Sequence, residues 1–272
     1  MTKGERIAKA RKAQGLTQDQ LAEMLKVSPQ AVSSWERDEY LPETKNMIAL
    51  ADALDTTADA LLQDDCGWEL KPMNYDMDRM FTFVKGRAQL YCLPQSLAVL
   101  DLLKQAHGKQ KRKSKHGFET GYIVHPLTMT CHALAMEIHD DDVLAAALAH
   151  DMVEDSKDIT LADLPVNERV REAVRLVSKN LCGRGAGWEE RYYREIAGNP
   201  LASLVKCLDR VNNLAGMADW FGRDRMVDYT AETDRYYPDL LKAVRKVPEW
   251  NNAWWLLRYQ MMGLTEAFKR LL

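Results

Sequence analysis

The spacing of apolar residues over the first 63 positions predicts a series of short helices. Apolar side chains recur there at intervals of three and four, which is the period of an amphipathic helix. They include Ile7, Leu16, Leu21, Leu25, Val32, Trp35, Leu50 and Leu61. Thr17 has Gln20 three residues later and Ser28 is followed by Pro29, and these residue types begin helices. We expect five short helices, two of them joined by the tight turn LKVS.

A change of pattern separates this region from the rest of the chain. The stretch QDDCGWELKPMNYD, at about 63–76, contains Gly67, Pro72 and Asn74 without a sustained apolar period, which indicates a linker. Helical patterns then dominate to the end, and no strand alternation is long enough to build a sheet. We expect an all-α protein with a five-helix domain at 1–64, a linker at 65–78 and a larger helical bundle at 79–272.

Composition favours a globular protein of the cytoplasm. The 272 residues are 46% hydrophobic and 28% charged, as in folded domains. The five cysteines form no C-x-x-C pair, so neither a disulfide framework nor a thiolate zinc site is indicated. No apolar run reaches the roughly 18 residues of a membrane span, and the first residues lack the apolar segment of a signal peptide. We therefore expect a cytoplasmic chain that does not enter a membrane.

The first domain carries a specific pattern in the segment LTQDQLAEMLKVSPQAVSSWER. This segment resembles the helix-turn-helix of the XRE and lambdoid repressor family, and the likeness extends over about residues 4–63. The resemblance implies a recognition helix that begins at about Pro29 and enters the major groove of DNA. The implied DNA contacts are made by Gln18, which would bind a phosphate, and by Gln30, Ser33 and Ser34, which would face the bases.

The charge of this domain leaves a second interpretation open. Residues 1–62 contain eight basic and ten acidic side chains, so the domain is not strongly basic, and a helix-turn-helix kept for protein contacts stays possible. Five of the basic residues lie in the first helix, where they could form a strip facing phosphates. Because a single module binds DNA weakly at physiological salt, DNA binding favours a homodimer on a two-fold site.

Polar residues adjoin strongly apolar helical stretches at three places in the second domain. His125 lies in YIVHPLTMTCHALAM, His150 and Asp151 end the stretch VLAAALAHD, and Asp209 follows LASLVKCL. Each of these residues alone is more typical of a helix cap or a surface ion pair. Two imidazoles and two carboxylates together suit a divalent metal such as manganese, iron or zinc.

The ordered set H, HD, D resembles the HD phosphohydrolase superfamily. The segments RKS, YIVHP, ALAHDMVEDS, VREAVRLVSK and LVKCLDRVNNL together resemble the hydrolase domain of the RelA/SpoT family of alarmone enzymes, which act in the stringent response. That family uses one manganese ion (Mn²⁺) to remove the 3′-pyrophosphate from the guanine nucleotides ppGpp and pppGpp. The resemblance implies the metal ligands His125, His150, Asp151 and Asp209. It also implies that Glu154 and Asp155 orient or deprotonate the attacking water, and that Arg112 and Asn213 contact the nucleotide.

Basic residues near these segments extend the predicted nucleotide site. The run KQKRKSK at 109–115, in which Lys113 follows Arg112, would attract a highly anionic nucleotide. Such a run is also typical of a solvated loop. Lys206 and Arg210 flank Asp209 and would either add to the same positive field or pair with nearby acids.

The chain departs from the alarmone-hydrolase pattern in three places. The segment KSKHGFETG is longer than its counterpart, which changes the spacing between Arg112 and Tyr122. The threonine expected after the asparagine is replaced near Gly216, and Asn212 replaces the histidine of the LHN triplet. These departures bear on the identity of the substrate and leave the metal ligands unchanged.

Two other functions stay open besides a small alarmone hydrolase fused to a DNA-binding domain. One is a transcription regulator whose HD domain senses a nucleotide without turnover, and the other is a hydrolase for another nucleotide such as ppApp or NADPH. The intact pair Glu154 and Asp155 favours turnover.

A group of aromatic residues lies near the C-terminus and indicates core packing or an aromatic dimer face. The group consists of Trp250, Trp254, Trp255 and Tyr259.

Overall fold

The structure is a computed structural model that describes residues 2–56, 58–62, 76–108, 110–113, 119–156 and 158–272. The chain divides into two compact units, Met1–Met73 and Asn74–Leu272. Most of the expected linker, residues 65–75, lies outside the described residues. Within the rest of that expected segment, a helix already begins at Met77.

The first unit has five helices in its described residues, as the apolar spacing predicts. They are α1 (Lys3–Ala13), α2 (Gln18–Leu25), α3 (Pro29–Glu36), α4 (Thr44–Ala53) and α5 (Ala58–Leu62). Their apolar faces meet in one core that includes Ile7, Leu21, Val32, Trp35 and Leu50.

The helix starts predicted at Thr17 and Ser28 are confirmed. Thr17 Oγ1 accepts the Gln20 N–H at 3.1 Å, and the Gln20 side chain accepts the Thr17 N–H at 2.8 Å, which closes a capping box. Ser28 caps α3, whose first residue is Pro29. Between these helices, Lys26 takes up a left-handed conformation with φ of 56°, so the chain reverses within the tight turn.

The second unit is a helical bundle, so the all-α fold class is confirmed. Its described helices are α6 (Met77–Leu90), α7 (Pro94–His107), α8 (Val124–Ala135), α9 (Asp141–Ala149), α10 (Met152–Asp155), α11 (Glu168–Val177), α12 (Trp188–Ala197), α13 (Pro200–Trp220), α14 (Arg223–Arg245) and α15 (Asn251–Leu271). Among the helices of the described ranges, none is long and apolar enough to cross a membrane.

A short β-hairpin lies between α7 and α8, where the sequence predicted no strand. Strands β1 (Lys111–Lys113) and β2 (Glu119–Gly121) pair antiparallel, and the Lys111 ammonium lies 3.1 Å from the Glu119 carboxylate across the pair. Each strand has three residues and neither alternates apolar with polar positions, so the sequence contains no strand pattern here. Residues 114–118, which join the two strands, lie outside the described residues.

Helix α9 is central to the core of the second unit. All seven residues from Val143 to Ala149 are buried, because α7, α8, α11 and α13 pack around the helix. A helix that is apolar on every side is stable only when it is enclosed in this way. Since the helix ends at His150, the packing of the core also fixes the position of that imidazole.

Helix α13 defines the position of Asp209. The sequence placed this carboxylate after the apolar stretch LASLVKCL, at the end of a helix or in a polar break within one. In the structure α13 runs without interruption from Pro200 to Trp220, and Asp209 lies near its middle and is buried. The helix continues because Lys206, one turn earlier, neutralises the carboxylate inside the protein with Nζ 2.9 Å from Oδ2.

Candidate functional site

The four side chains expected to bind a metal lie in helices or directly beside their ends. His125 is the second residue of α8, His150 follows the last residue of α9, Asp151 precedes α10, and Asp209 projects from α13. Ligand atoms of His125, His150 and Asp151 all lie within 4.8 Å of one another. Asp209 adjoins this group, with Oδ1 3.2 Å from His125 Nε2. The structure therefore brings all four residues together.

Both imidazoles turn Nε2 toward the carboxylates. His150 Nε2 lies 3.0 Å from Asp151 Oδ2, and His125 Nε2 lies 3.8 Å from the same oxygen. The two rings meet edge to face, with centroids 5.1 Å apart. His125, His150, Asp151 and Asp209 thus form a compact set of two imidazole and two carboxylate side chains, called the metal set below.

The opposite ring nitrogens are held by hydrogen bonds. His150 Nδ1 donates to the backbone carbonyl oxygen of Ala147 at 2.8 Å, so in the neutral ring Nε2 carries the lone pair. His125 Nδ1 lies 2.6 Å from Asn212 Oδ1. Hydrogen bonds of this kind fix the tautomer and orientation of metal-binding histidines. Asn212, a departure from the family pattern, is therefore used to position His125.

Electrostatics keep both carboxylates of this set ionised. Burial opposes ionisation of Asp209, but the Lys206 ammonium and the neighbouring imidazoles outweigh it and hold its pKa well below the usual range. Burial likewise acts against ionisation of Asp151, whose pKa is nevertheless lowered to about 2 by His150. Asn213, which the resemblance places at the nucleotide, donates from Nδ2 to Asp209 Oδ1 and so contacts the metal set itself.

The donor set fits a divalent metal. His150 Nε2 is buried and, among the described residues, has no partner in hydrogen-bond geometry, although the Asp151 carboxylate lies close to it. A buried polar atom without a hydrogen bond costs about 1–3 kcal/mol, which a cation bound to the neutral ring would offset. Two imidazole nitrogens with two carboxylates match manganese, iron or zinc better than magnesium or calcium.

Glu154 and Asp155 lie on α10, directly after the HD pair, and both are exposed. Glu154 Oε2 accepts the backbone N–H of Lys179 at 3.1 Å. Asp155 Oδ2 accepts the Tyr122 hydroxyl at 2.6 Å. Each carboxylate, within one helical turn of the HD pair, is thus fixed by a donor from another segment.

Arg210 pairs with a nearby acid, the second of the two roles that its place beside Asp209 left open, and not with the expected substrate face. Its side chain is almost fully buried and points toward α14. The guanidinium donates to Glu232 Oε1 at 2.9 Å and to the Tyr229 carbonyl oxygen at 3.1 Å, and it stacks 3.6 Å from the centre of the Tyr229 ring. These contacts hold the guanidinium inside the bundle, so Arg210 links α13 to α14.

The predicted substrate residues Arg112 and Lys113 belong to β1 by their backbone. Their side chains lie outside the described part of the structure, as do residues 114–118 and Lys109. The strand that pairs with β1 ends at Gly121, four residues before His125. The hairpin backbone is therefore tied directly to the start of α8, where the metal set begins.

Lys179 is a charged residue near the site that the sequence reasoning left without a role. Its backbone N–H binds Glu154, and its Nζ lies 3.7 Å from Glu232 Oε1 and 5.8 Å from the centroid of the Tyr192 ring. Burial, together with the nearby cations Lys206 and Arg210, lowers the pKa of Lys179. Its position at the end of VREAVRLVSK, a segment already tied to the resemblance, was the available signal.

In the first unit, the expected DNA contacts differ in their exposure. Pro29 and Gln30 are exposed at the start of α3, and Ser33 is partly buried. Ser34 is only 8% exposed, so its side chain offers little to the edge of a base. The Gln18 side chain donates to Glu36 Oε2 at 2.8 Å. Gln30 is therefore the most accessible of the three base-facing candidates.

Comparisons with known proteins agree with this division of the chain. Residues 7–61 match the helix-turn-helix family. The repressor protein C2 of Salmonella phage P22 is 44% identical over 62 residues, which are 23% of this chain. The match spans 29% of the length of that repressor. The likeness thus concerns less than a third of the length of that repressor.

A solved structure resembles a larger share of the chain. It belongs to a metazoan ortholog of SpoT that hydrolyses ppGpp and has a role in starvation responses. It is 21% identical, has a TM-score of 0.50, and covers 64% of this chain and 94% of its own. A match of this extent exceeds the first unit, which ends at Met73, so it reflects the fold of the second unit. The chain therefore joins a helix-turn-helix domain to a helical domain whose fold resembles that of the metazoan SpoT ortholog.

Proposed function

We propose that the second unit is a metal-dependent phosphohydrolase that removes the 3′-pyrophosphate of ppGpp or pppGpp, and that the first unit binds DNA. One observation carries the enzymatic part: two histidines and two aspartates converge around the buried His150 Nε2, which no described residue hydrogen-bonds. The ppGpp hydrolysis of the structurally similar SpoT ortholog supports the choice of substrate.

His125, His150, Asp151 and Asp209 would hold the ion, and Mn²⁺ is the proposed cofactor. A divalent ion supplies an activated water at neutral pH and positive charge beside the phosphoryl oxygens. The chain contributes a fixed geometry, because hydrogen bonds to both Nδ1 atoms and to Asp209 set the ligands before anything binds. Such preorganisation avoids a reorganisation cost during the reaction.

Glu154 is placed to accept the proton of the attacking water. It follows His150 by four residues and Asp151 by three, and it is exposed beside the metal set. Asp155, held by the Tyr122 hydroxyl, is placed to orient that water or the neighbouring carboxylate. Water then adds to the phosphorus on the 3′ oxygen, the ester P–O bond breaks, and ppGpp yields GDP and pyrophosphate.

Binding of the substrate requires cations, because ppGpp carries two diphosphate groups. Lys179 is half-buried at the rim and its backbone anchors Glu154, so it is placed to receive phosphoryl oxygens. Arg112 and Lys113 belong to the hairpin that leads into α8 and would meet the nucleotide from that side. Arg210 is left out of this set because of its contacts with α14.

The enzymatic proposal is tested by incubating the full chain with Mn²⁺ and, separately, ppGpp, pppGpp, ppApp and NADPH. Products are separated by anion-exchange chromatography. We expect turnover of the guanine nucleotides, its loss in Asp151→Asn, and its retention in Arg235→Gln, which alters an exposed ion pair. Tight binding of ppGpp without turnover of any nucleotide would overturn the proposal in favour of a sensor. Turnover of ppApp or NADPH alone would overturn the substrate.

The DNA-binding proposal rests on the helix-turn-helix match and on the exposure of Gln30. A glutamine at the start of a recognition helix can form two hydrogen bonds with adenine, worth about 1–3 kcal/mol of discrimination. We expect fluorescence anisotropy to show binding to DNA from upstream of the chain's own gene, weakened about tenfold or more by Gln30→Ala. Ser34→Ala, which changes a buried position of the same helix, serves as the matched control.

A further inference from the structure

Helix α15 presents a large apolar face to solvent. Trp255, Tyr259 and Met262 are 56%, 77% and 54% exposed. Their spacing of four and three residues places them on one side of the helix. The opposite side of α15 is buried in the core of the second unit through Trp254 and Leu257. A contiguous exposed stripe of this kind marks a surface that binds a partner.

The residues around Met262 complement a reversed copy of themselves. Arg258 and Glu266 stand four residues before and after Met262, and Trp255 and Lys269 stand seven residues before and after it. At 3.6 residues per turn, offsets of four and seven keep all five positions on the same side of the helix. All five are exposed. The positions are therefore symmetric about Met262, and the two residues at each distance can bind each other, arginine with glutamate and tryptophan with lysine.

We propose that α15 forms the interface of a homodimer, in which two copies of the helix pack antiparallel about a two-fold axis near Met262. Such an axis places residue 262 − n opposite residue 262 + n of the partner. Arg258 then faces a glutamate and Trp255 faces a lysine ammonium, while the two Met262 side chains meet at the centre. These are an ion pair and a cation–π contact, each formed twice.

Local features of the helix are compatible with this packing. Nothing lies within 4 Å of the position that a Cβ of Gly263 would occupy, so a second helix can approach the backbone there. Glu266 and Lys269 pair with each other at 3.0 Å, and Lys269 also pairs with Asp234 of α14. These ion pairs are on the surface, where they contribute little, so they can be shared with a partner.

The interface is independent of the proposed hydrolysis, since no proposed ligand or catalytic residue belongs to α15. A dimer through α15 would also serve the proposed DNA binding. A dimer carries two helix-turn-helix domains in one particle, which is the arrangement that two-fold DNA sites require. Linking two modules also raises the affinity beyond that of either one.

The first test measures the molar mass of the full chain by sedimentation equilibrium. We expect twice the 31.1 kDa of one chain, and a monomer for the double variant Trp255→Glu with Tyr259→Glu. Leu90→Glu is the matched control, because Leu90 is 66% exposed at the end of a different helix, α6. A monomeric wild type, or a dimer that survives the double variant, would overturn the proposal.

The second test examines the two-fold geometry and does not depend on the stability of the glutamate variants. Met262→Cys should form an intermolecular disulfide under mild oxidation, above the background of the wild type with its exposed Cys92. Arg258→Glu should weaken the dimer, and Arg258→Glu combined with Glu266→Arg should restore it. An absence of cross-linking above background, or a swap that fails to restore the dimer, would overturn the antiparallel arrangement.

Discussion

The Nδ1 atom of His125 lies 2.6 Å from Oδ1 of Asn212, although the two residues are 87 positions apart in the chain. This contact joins the start of α8 to α13 and turns Nε2 of His125 toward Asp151 and Asp209. Asn212 is the residue that departs from the LHN triplet of the resemblance, and its amide oxygen supplies a hydrogen-bonding partner for the ring.

Replacing Asn212 tests how far this contact orders the metal ligands. We expect Asn212→Leu to weaken Mn²⁺ binding about 10- to 100-fold, because the His125 ring loses the acceptor that orients it. Asn212→Asp keeps an acceptor and should bind the ion nearly as the wild type does. Isothermal titration calorimetry measures both affinities. Equal affinity in the leucine variant and the wild type would show that the contact is dispensable.

Replacing Lys179 tests the placement of the phosphate-binding cation. Lys179→Gln should raise the KM for ppGpp and lower kcat/KM about tenfold or more, because a charge-assisted hydrogen bond to phosphate is lost. Mn²⁺ affinity should change much less than kcat/KM, since among the described residues no hydrogen bond or ion pair joins Lys179 to a proposed ligand. The control is Lys242→Gln, which removes an exposed lysine paired with Asp239. Unchanged steady-state kinetics in Lys179→Gln would remove Lys179 from the site.

Arg210 is expected to matter for stability. Arg210→Met breaks the contacts that fasten α13 to α14 and leaves Glu232 without its guanidinium partner. Loss of one member of a buried pair costs about 3–5 kcal/mol in the free energy of unfolding. Arg235→Met, which breaks the exposed pair with Glu190, should cost about 0–1 kcal/mol. Urea denaturation measures both values, and equal losses would contradict the structural role.

The stability of the first unit should depend on acid pH through Glu36. Burial favours the protonated carboxyl, but hydrogen bonds from Arg11 and Gln18 outweigh it and lower the pKa of Glu36 below 4.5. A carboxyl group with a depressed folded pKa stabilises the fold above its unfolded pKa, and this stabilisation is lost as the pH falls through the folded value.

We therefore expect the first unit to lose stability below about pH 4.5, the ordinary glutamate pKa, and Glu36→Gln to flatten this loss. Urea titrations of the full chain, followed by the amide NMR signals of Leu21 and Trp35, report on this unit separately. Identical pH profiles for the wild type and the variant would contradict the assignment.

Local signals in the sequence predicted the features that depend on short-range chemistry. The helix starts at Thr17 and Ser28 follow from capping, which involves residues three positions apart. The HD pair was also recognisable, because His150 and Asp151 are polar residues that directly follow a fully apolar helical stretch. These features need no knowledge of how distant segments pack.

Other features depend on contacts between distant segments and could not be predicted in this way. Arg210 was expected near the nucleotide because it follows Asp209, but adjacent residues on a helix point in different directions, and Arg210 meets α14 instead. Lys179 gained a role only through the fold, which brings its backbone to Glu154. The three-residue strands of the hairpin were too short to show a period.

The proposed hydrolysis requires that the four converging side chains hold a metal used to cleave the 3′ ester bond of ppGpp. It is tested by following GDP and pyrophosphate released from ppGpp by the full chain, with Mn²⁺ and then with excess chelator. We predict that both products appear in equal amounts with Mn²⁺, that chelation stops their release, and that Asp151→Asn forms neither. Intact ppGpp after incubation with the Mn²⁺-bound wild type, or equal release by Asp151→Asn, would contradict the claim.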